Sequence, residues 1–183
     1  MVAFFVSRAY NLSMIIRHGT IDDAKTLAGF GEKAFYDSFA TANTEENIRL
    51  YLRRTYSPEI QLSELTNPEI VFLIAEIENE IVGYVKINLN SRDGSVQGSQ
   101  TIEIERIYAA KEYIGQGVGR SLMQASIQEA KKRGCDSLWL GVWEKNPRAI
   151  DFYRKWGFKE VGTHIFMLGT DPQRDFIMEL DLS

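Results

Sequence analysis

Cysteine, proline, histidine and long apolar runs are all scarce in this 183-residue sequence, and each scarcity removes a class of protein. The one cysteine, Cys135, can form no internal disulfide and has no ligand cluster around it. It stands in Lys132-Arg133-Gly134-Cys135, where a helix should end, and reads as an inert structural thiol. An unpaired cysteine fits a reducing cytoplasm, which is the expected location. The two histidines, His18 and His164, are too scattered for a metal site, and no metal is expected. No apolar run approaches the roughly 20 residues that a membrane span needs. The opening Met1-Val-Ala-Phe-Phe-Val-Ser-Arg8 is too short for a signal peptide, and no basic region precedes it. There is no excess of positive charge either: the net charge of −4 argues against a nucleic-acid binder and mildly favours a cationic partner. What remains is an ordinary globular composition, 44% hydrophobic and 25% charged, long enough to bury one core without staples.

Met14-Ile-Ile-Arg17 reads as a natural first strand, so residues 1–13 are expected to be a tail and 14–183 a single domain. Thr20-Ile-Asp-Asp23 carries cap and acidic first-turn signals for a helix that aligns Ala24, Leu27, Ala28, Gly31, Ala34 and Phe35. Thr44-Glu-Glu46 opens a second helix, and Ser57-Pro58-Glu59, a cap with proline at the first helical position, opens a third. From Ile70 the period changes to that of strands. Val71 to Ala75 and Ile81 to Ile87 flank Glu78-Asn79-Glu80 as a hairpin, and Thr101 to Tyr108 alternates as another strand. A helix carrying Leu122, Met123, Ser126, Ile127 and Ala130 on one face follows, then a strand from Ser137 to Val142 and a helix from Pro147 to about Trp156. Strands from Phe158 to Phe166 and from Phe176 to Leu182 close the chain. This order predicts an α/β fold with a mixed, largely antiparallel sheet flanked by helices.

The most informative stretch is Tyr113-Ile-Gly115-Gln116-Gly117-Val118-Gly119-Arg120-Ser121, between a strand and an amphipathic helix. Glycines at alternate positions let backbone N–H groups converge on a ligand. A helix N-terminus adds unpaired donors and partial positive charge, which together suit a pyrophosphate. A nucleotide P-loop is excluded, because the spacing is too short and Arg120 stands where its lysine belongs. The dinucleotide fingerprint fails as well, since Gly119 comes one residue early. A helix-entry turn without a ligand remains the plain alternative for the loop taken alone.

About 25 residues on comes Trp139-Leu-Gly-Val-Trp143-Glu-Lys-Asn146-Pro-Arg-Ala149-Ile-Asp-Phe152-Tyr153-Arg-Lys155-Trp-Gly157-Phe158. The two strings, in this order and at this separation, resemble the GNAT superfamily of N-acetyltransferases. The loop resembles its (Arg/Gln)-x-x-Gly-x-Gly coenzyme A motif at Gly117 and Gly119, with Ile114 in place of the first Arg or Gln. The later string is similar to its Asn-x-x-Ala-x-x-Phe-Tyr-x-Lys-x-Gly-Phe segment, and the resemblance runs from Met14 onward.

The resemblance implies an acyl-CoA N-acyltransferase fold with acetyl-CoA as cosubstrate. It implies that Ile107, Tyr108 and Ala109 line the pantetheine arm and thioester, and that Gly115, Gln116, Gly117, Val118, Gly119 and Arg120 hold the pyrophosphate. Asn146 matches a position that contacts the pantetheine region, though Asn before Pro147 is also a good helix cap. Lys155 belongs to the same matched segment. Tyr153 matches the family tyrosine that protonates the departing sulfur; its plain alternative is a core aromatic beside Phe152. The oxyanion is expected to meet a backbone N–H between Ile107 and Ala109.

The chemistry itself asks for a neutral amine, and an amine of pKa near 10 is neutral in roughly one molecule in a thousand at pH 7. Glu103 and Glu105 alternate onto one face of the strand leading to the thioester, and either can draw the proton directly or through water. The alternative for both is solvated or salt-bridged surface acid. Within the superfamily, Phe35-Tyr-Asp-Ser-Phe39, Gly83-Tyr-Val-Lys86, Ile102-Glu-Ile-Glu-Arg-Ile-Tyr108, Gly162-Thr-His164 and Asp175-Phe-Ile-Met178 resemble the bacterial Pai-type spermidine/spermine N-acetyltransferases. That likeness implies a polyamine acceptor, with Asp37, Glu103, Glu105 and Asp175 as candidate anionic partners, and allows a homodimer. Acetylation of a protein N-terminus, a lysine or another small amine stays open, as does a CoA-binding regulator with little catalysis.

Overall fold

The computed structural model describes residues 14–183, and the expected N-terminal tail lies outside the described residues. The chain runs β1 (Ile15–His18), α1 (Ala24–Phe39), α2 (Glu45–Thr55), α3 (Pro58–Thr66), β2 (Ile70–Ile77), β3 (Glu80–Asn88), β4 (Thr101–Ala109), α4 (Val118–Lys132), β5 (Ser137–Trp143), α5 (Pro147–Lys155), β6 (Lys159–Leu168) and β7 (Asp171–Asp181). The helices start where their caps say. Thr44 accepts from Asn47 N–H at 3.3 Å to open α2, and Ser57 accepts from Ile60 N–H at 3.2 Å to open α3. Glu78 and Asn79 both take positive φ, 51° and 66°, which matches the twist a two-residue hairpin turn requires between β2 and β3.

Seven strands form one sheet in the order β1-β2-β3-β4-β5-β7-β6, antiparallel except for the parallel β4–β5 pair. The α4 crossover joins that pair, as parallel neighbours require. One sheet face, carrying Leu73, Val85, Ile104, Leu138 and Leu140, packs under α4 and α5 in the main core. The other face, carrying Phe72, Ile74 and Tyr84, packs under α1 with Leu27. The mixed, largely antiparallel α/β expectation therefore holds. Among the described residues no helix is long and apolar enough to cross a membrane.

Two departures from the sequence reading matter. β7 starts at Asp171, five residues before Phe176, because Gly169 at φ +63° lets β6 and β7 pair up to the hairpin tip. Pro172 is tolerated there since β5 pairs with β7 only from Asp175 onward, leaving no ladder bond for proline to break. The second departure is in β4. Lys86 of β3 faces Arg106 but Ile87 faces Ile104, so Glu105 is an extra residue, a β-bulge that interrupts the simple alternation. Glu105 and the adjacent Arg106 consequently reach the same face, where both meet groups on α3 and β3.

Candidate active site

The bulged strand sets up a gap. β4 pairs with β5 only through Thr101–Ser137, Ile102–Leu138 and Glu103–Trp139, and beyond these the two strands diverge. On its other side β4 stays paired with β3 out to Ala109. Ala110 N–H donates to Val82 O, so by strand alternation Tyr108 also bonds to β3 while Ile107 and Ala109 aim their N–H and C=O groups into the gap. Of the three residues expected along the arm, two thus offer free backbone. Tyr108 is directed to β3 and to the aromatic cluster around α1 and α2.

The glycine loop stands at the open end of this gap. Gly115 and Gly117 take φ of +86° and +93°, conformations that cost other residues strain, and a Cβ at either would meet nothing within 4 Å. The first backbone bond of α4 runs from Ser121 N–H to Gly117 O, leaving the amides of Val118, Gly119 and Arg120 without intrahelical acceptors. Open space, converging N–H groups and the helix dipole make a cradle for an anion. Gln116 is tied down locally, its Nε2 donating to Glu112 O at 2.7 Å. Ile114, which replaces Arg or Gln, is 42% exposed and braces nothing by hydrogen bonding. Arg120 and Lys155 are exposed at the start of α4 and the end of α5.

α5 supplies the same side. Asn146 caps it, its Oδ1 accepting from Ala149 N–H at 3.1 Å, so the cap alternative is realised and its amide NH₂ is left for other uses. Tyr153 is 8% exposed, packed between Phe152 and Phe158. Burial, with no hydrogen bond or charge acting against it, raises the phenol well above its usual range. The hydroxyl therefore keeps its proton at every ordinary pH, as a proton donor must.

The opposite face carries the charges. Glu105 is held by Lys86 and accepts from Asn88 Nδ2 at 2.7 Å. Lys86 Nζ also lies 2.7 Å from Glu64 of α3, and Arg106 grips that same carboxylate at 2.9 and 3.0 Å. Burial pushes the Glu105 carboxyl up, but Lys86 and Asn88 outweigh it and the net shift is downward. Glu103, two residues earlier at the vertex of the gap, goes the other way. Burial raises it and the neighbouring Glu105 charge adds, against Ser91, His164 and Lys86. The two acids thus share a face but differ in surroundings: one is tied into an ion-pair network, the other is half-buried outside it, where burial favours its neutral form. Asp37 is exposed and bound to Lys33 at 2.8 Å on α1, away from this cluster. Asp175 is buried beside His164. Among the described residues no group of three or more His, Cys, Asp or Glu is placed to hold a metal ion.

Sequence reasoning missed the Glu64–Lys86–Arg106 network and the His164–Asp175 pair. A lysine inside Tyr84-Val-Lys86-Ile87 was a usable signal for the first, because a buried ammonium needs a carboxylate. The second joins two strands and has no local signature.

The model of the acetyltransferase (GNAT) family matches residues 33–158. An uncharacterised N-acetyltransferase of Mycobacterium tuberculosis is 32% identical over 87% of this chain and 98% of its own length. A spermidine N(1)-acetyltransferase of Thermoplasma acidophilum is 28% identical, covering 92% of this chain and 97% of its own. The crystal structure of the PaiA N-acetyltransferase from Thermoplasma acidophilum in complex with coenzyme A superposes with a TM-score of 0.77, at 28% identity, over 93% of this chain and 99% of that one. The chain belongs to the acetyltransferase (GNAT) family and is an N-acetyltransferase.

Proposed function

We propose that this enzyme moves the acetyl group of acetyl-CoA to a primary amine of a polyamine, by direct attack of the amine on the thioester. The observation that carries the reading is the gap itself: free β4 backbone at Ile107 and Ala109, an anion cradle at one end and Glu103 at the other. Acetyl-CoA supplies the activated acyl group. The residues fit it without rearrangement, because the cradle is open where a Cβ would stand and the free strand edge can pair with an extended arm.

In this reading the amides of Gly115 and of Gly117 to Arg120 bind the pyrophosphate, the Gln116 N–H being taken by Tyr113 O, and the N–H groups of Ile107 and Ala109 are the donors for the arm and the developing oxyanion. Glu103 takes the proton from the incoming ammonium. Its raised carboxyl is better matched to that task than Glu105, which Lys86 keeps ionised and occupied. Tyr153 donates its proton to the departing sulfur. Asn146 and Lys155 flank the cosubstrate from the two ends of α5. The polyamine choice draws on the Thermoplasma spermidine acetyltransferase and on two carboxylates of one sheet face, half-buried Glu103 and buried Asp175.

The test is thiol release from acetyl-CoA with spermidine, spermine and a lysine-containing peptide, each against an amine-free blank. Release with the polyamines above the peptide is the expected result. Release with the peptide alone would move the acceptor to proteins, and tight coenzyme A binding with no release would favour a regulator.

A further inference from the structure

His164 and Asp175 are register partners on β6 and β7, and His164 Nε2 lies 3.7 Å from Asp175 Oδ2, an ion-pair distance just beyond a hydrogen bond. Gly141 of β5 makes their placement possible. A Cβ there would stand 3.0 Å from His164 Nε2 and 3.6 Å from Asp175 Oδ2. The imidazole therefore reaches back across β7 to β5, the strand that walls the gap opposite β4, although it starts from an edge strand. Asp175 is buried, its Oδ1 has no hydrogen-bond partner, and His164 is the one basic side chain at ion-pair distance from it among the described residues. The His164 side chain is 33% exposed, which joins a buried acid to solvent.

Glu103 of β4 pairs with Trp139 of β5, two residues from Gly141 and on the same side of the sheet, so its side chain and the His164 ring approach the same face of β5. Contact with Asp175 raises the imidazole above the ordinary histidine range, against burial, and the charges of Asp93 and Glu103 add to it. Glu103 feels the ring in return. Neither the helix-cap and glycine-loop machinery nor Tyr153 uses this pair.

We propose that the His164–Asp175 pair is a proton relay between Glu103 and solvent, positioning and recharging the base without touching the reacting nitrogen. It rests on the assignment of Glu103 as base. The overall reaction of an ammonium with a thioester gives an amide, a thiol and one free proton. Glu103 takes that proton from the ammonium; the amine forms its C–N bond as the C–S bond breaks. The sulfur leaves with the Tyr153 proton, and the second proton lost by the nitrogen restores Tyr153. The proton on Glu103 passes to neutral His164 and then to water, and Asp175 holds the imidazolium while it lasts.

Two readouts test the relay, one of them independent of turnover. The chain has two histidines, so His18→Gln identifies the His164 ring signals by NMR. Their titration midpoint should lie above about 6.5 and fall in both Asp175→Asn and Glu103→Gln. In pH–rate profiles with acetyl-CoA and spermidine, the relay needs neutral His164, so the acid limb of kcat follows the raised imidazole. His164→Gln should then lower plateau kcat about tenfold, leave KM for spermidine within about twofold, and move the acid limb to lower pH, where Glu103 alone governs it. Added imidazole should restore turnover in His164→Ala. An unchanged plateau and acid limb in His164→Gln, beside a large loss in Glu103→Gln, would overturn the relay and leave the base in place. No loss in Glu103→Gln would end both. Without any turnover on spermidine, a His164 midpoint that ignores Glu103→Gln overturns the coupling by itself.

Discussion

The face of the sheet under α4 and α5 and the face under α1 to α3 carry their polar groups in different ways. On the first, the polar groups around the gap are backbone: amides from Val118 to Arg120, two glycines at positive φ, and the free edge at Ile107 and Ala109, with Tyr153 set in an apolar surround. On the second they are side chains from α3, β3, β4, β6 and β7, linked as Glu64–Lys86–Glu105 with Arg106, and as His164–Asp175 near Glu103. We attribute the difference to the two partners. In the proposed reading, the cosubstrate is held by backbone groups that every sequence has, whereas the acceptor is recognised and deprotonated by groups that only some residues supply.

The sharpest way to break that contrast is at Tyr153, the one side chain assigned chemistry on the backbone side. Tyr153→Phe should lower kcat by roughly 10²–10⁴-fold with its melting temperature little changed, read by thiol release and thermal denaturation. Unchanged turnover would return it to packing. Next comes the pair of acids. Glu103→Gln should lower kcat about 10²-fold and flatten the acid limb. Glu105→Gln should stay within a few-fold of wild type in kcat but lose about 1–3 kcal/mol of stability in urea, since Lys86 is left buried with one carboxylate fewer. Reversed behaviour of the two variants would exchange their roles.

Smaller still is the effect expected in the cradle. Gly117→Ala forces a side chain into the left-handed region at a cost of about 1–2 kcal/mol, so KM for acetyl-CoA should rise roughly tenfold with KM for the amine unmoved. The smallest effect is at Cys135, a half-buried thiol that burial raises above its usual range and that takes no part in the proposed site. Cys135→Ser should leave both KM values and kcat within experimental scatter.

The same contrast decides how much was legible in the sequence. Backbone chemistry is written in consecutive residues, so Gly115 to Arg120 and Asn146 to Phe158 could be read directly, and with them the strand–helix order around them. Side-chain chemistry on the other face depends on register. The alternation from Thr101 to Tyr108 put Glu103 and Glu105 on one face, as observed, yet the bulge that brings Arg106 there as well arises from pairing with β3 and is invisible locally. The parting of β4 from β5 is likewise a matter of where hydrogen bonding stops. Gly141 inside the strand from Ser137 to Trp143 was the available hint that another group approaches closely there. Only the fold identifies that group as His164.

The most direct test of the central claim is a titration of the ¹⁵N-labelled protein with coenzyme A, following every backbone amide. The account predicts that the large shifts fall in two stretches, Ile107 to Ala109 and Gly115 to Arg120, with the amides of β6 and β7 nearly still. Large shifts along β6 and β7 with those two stretches unmoved would contradict it.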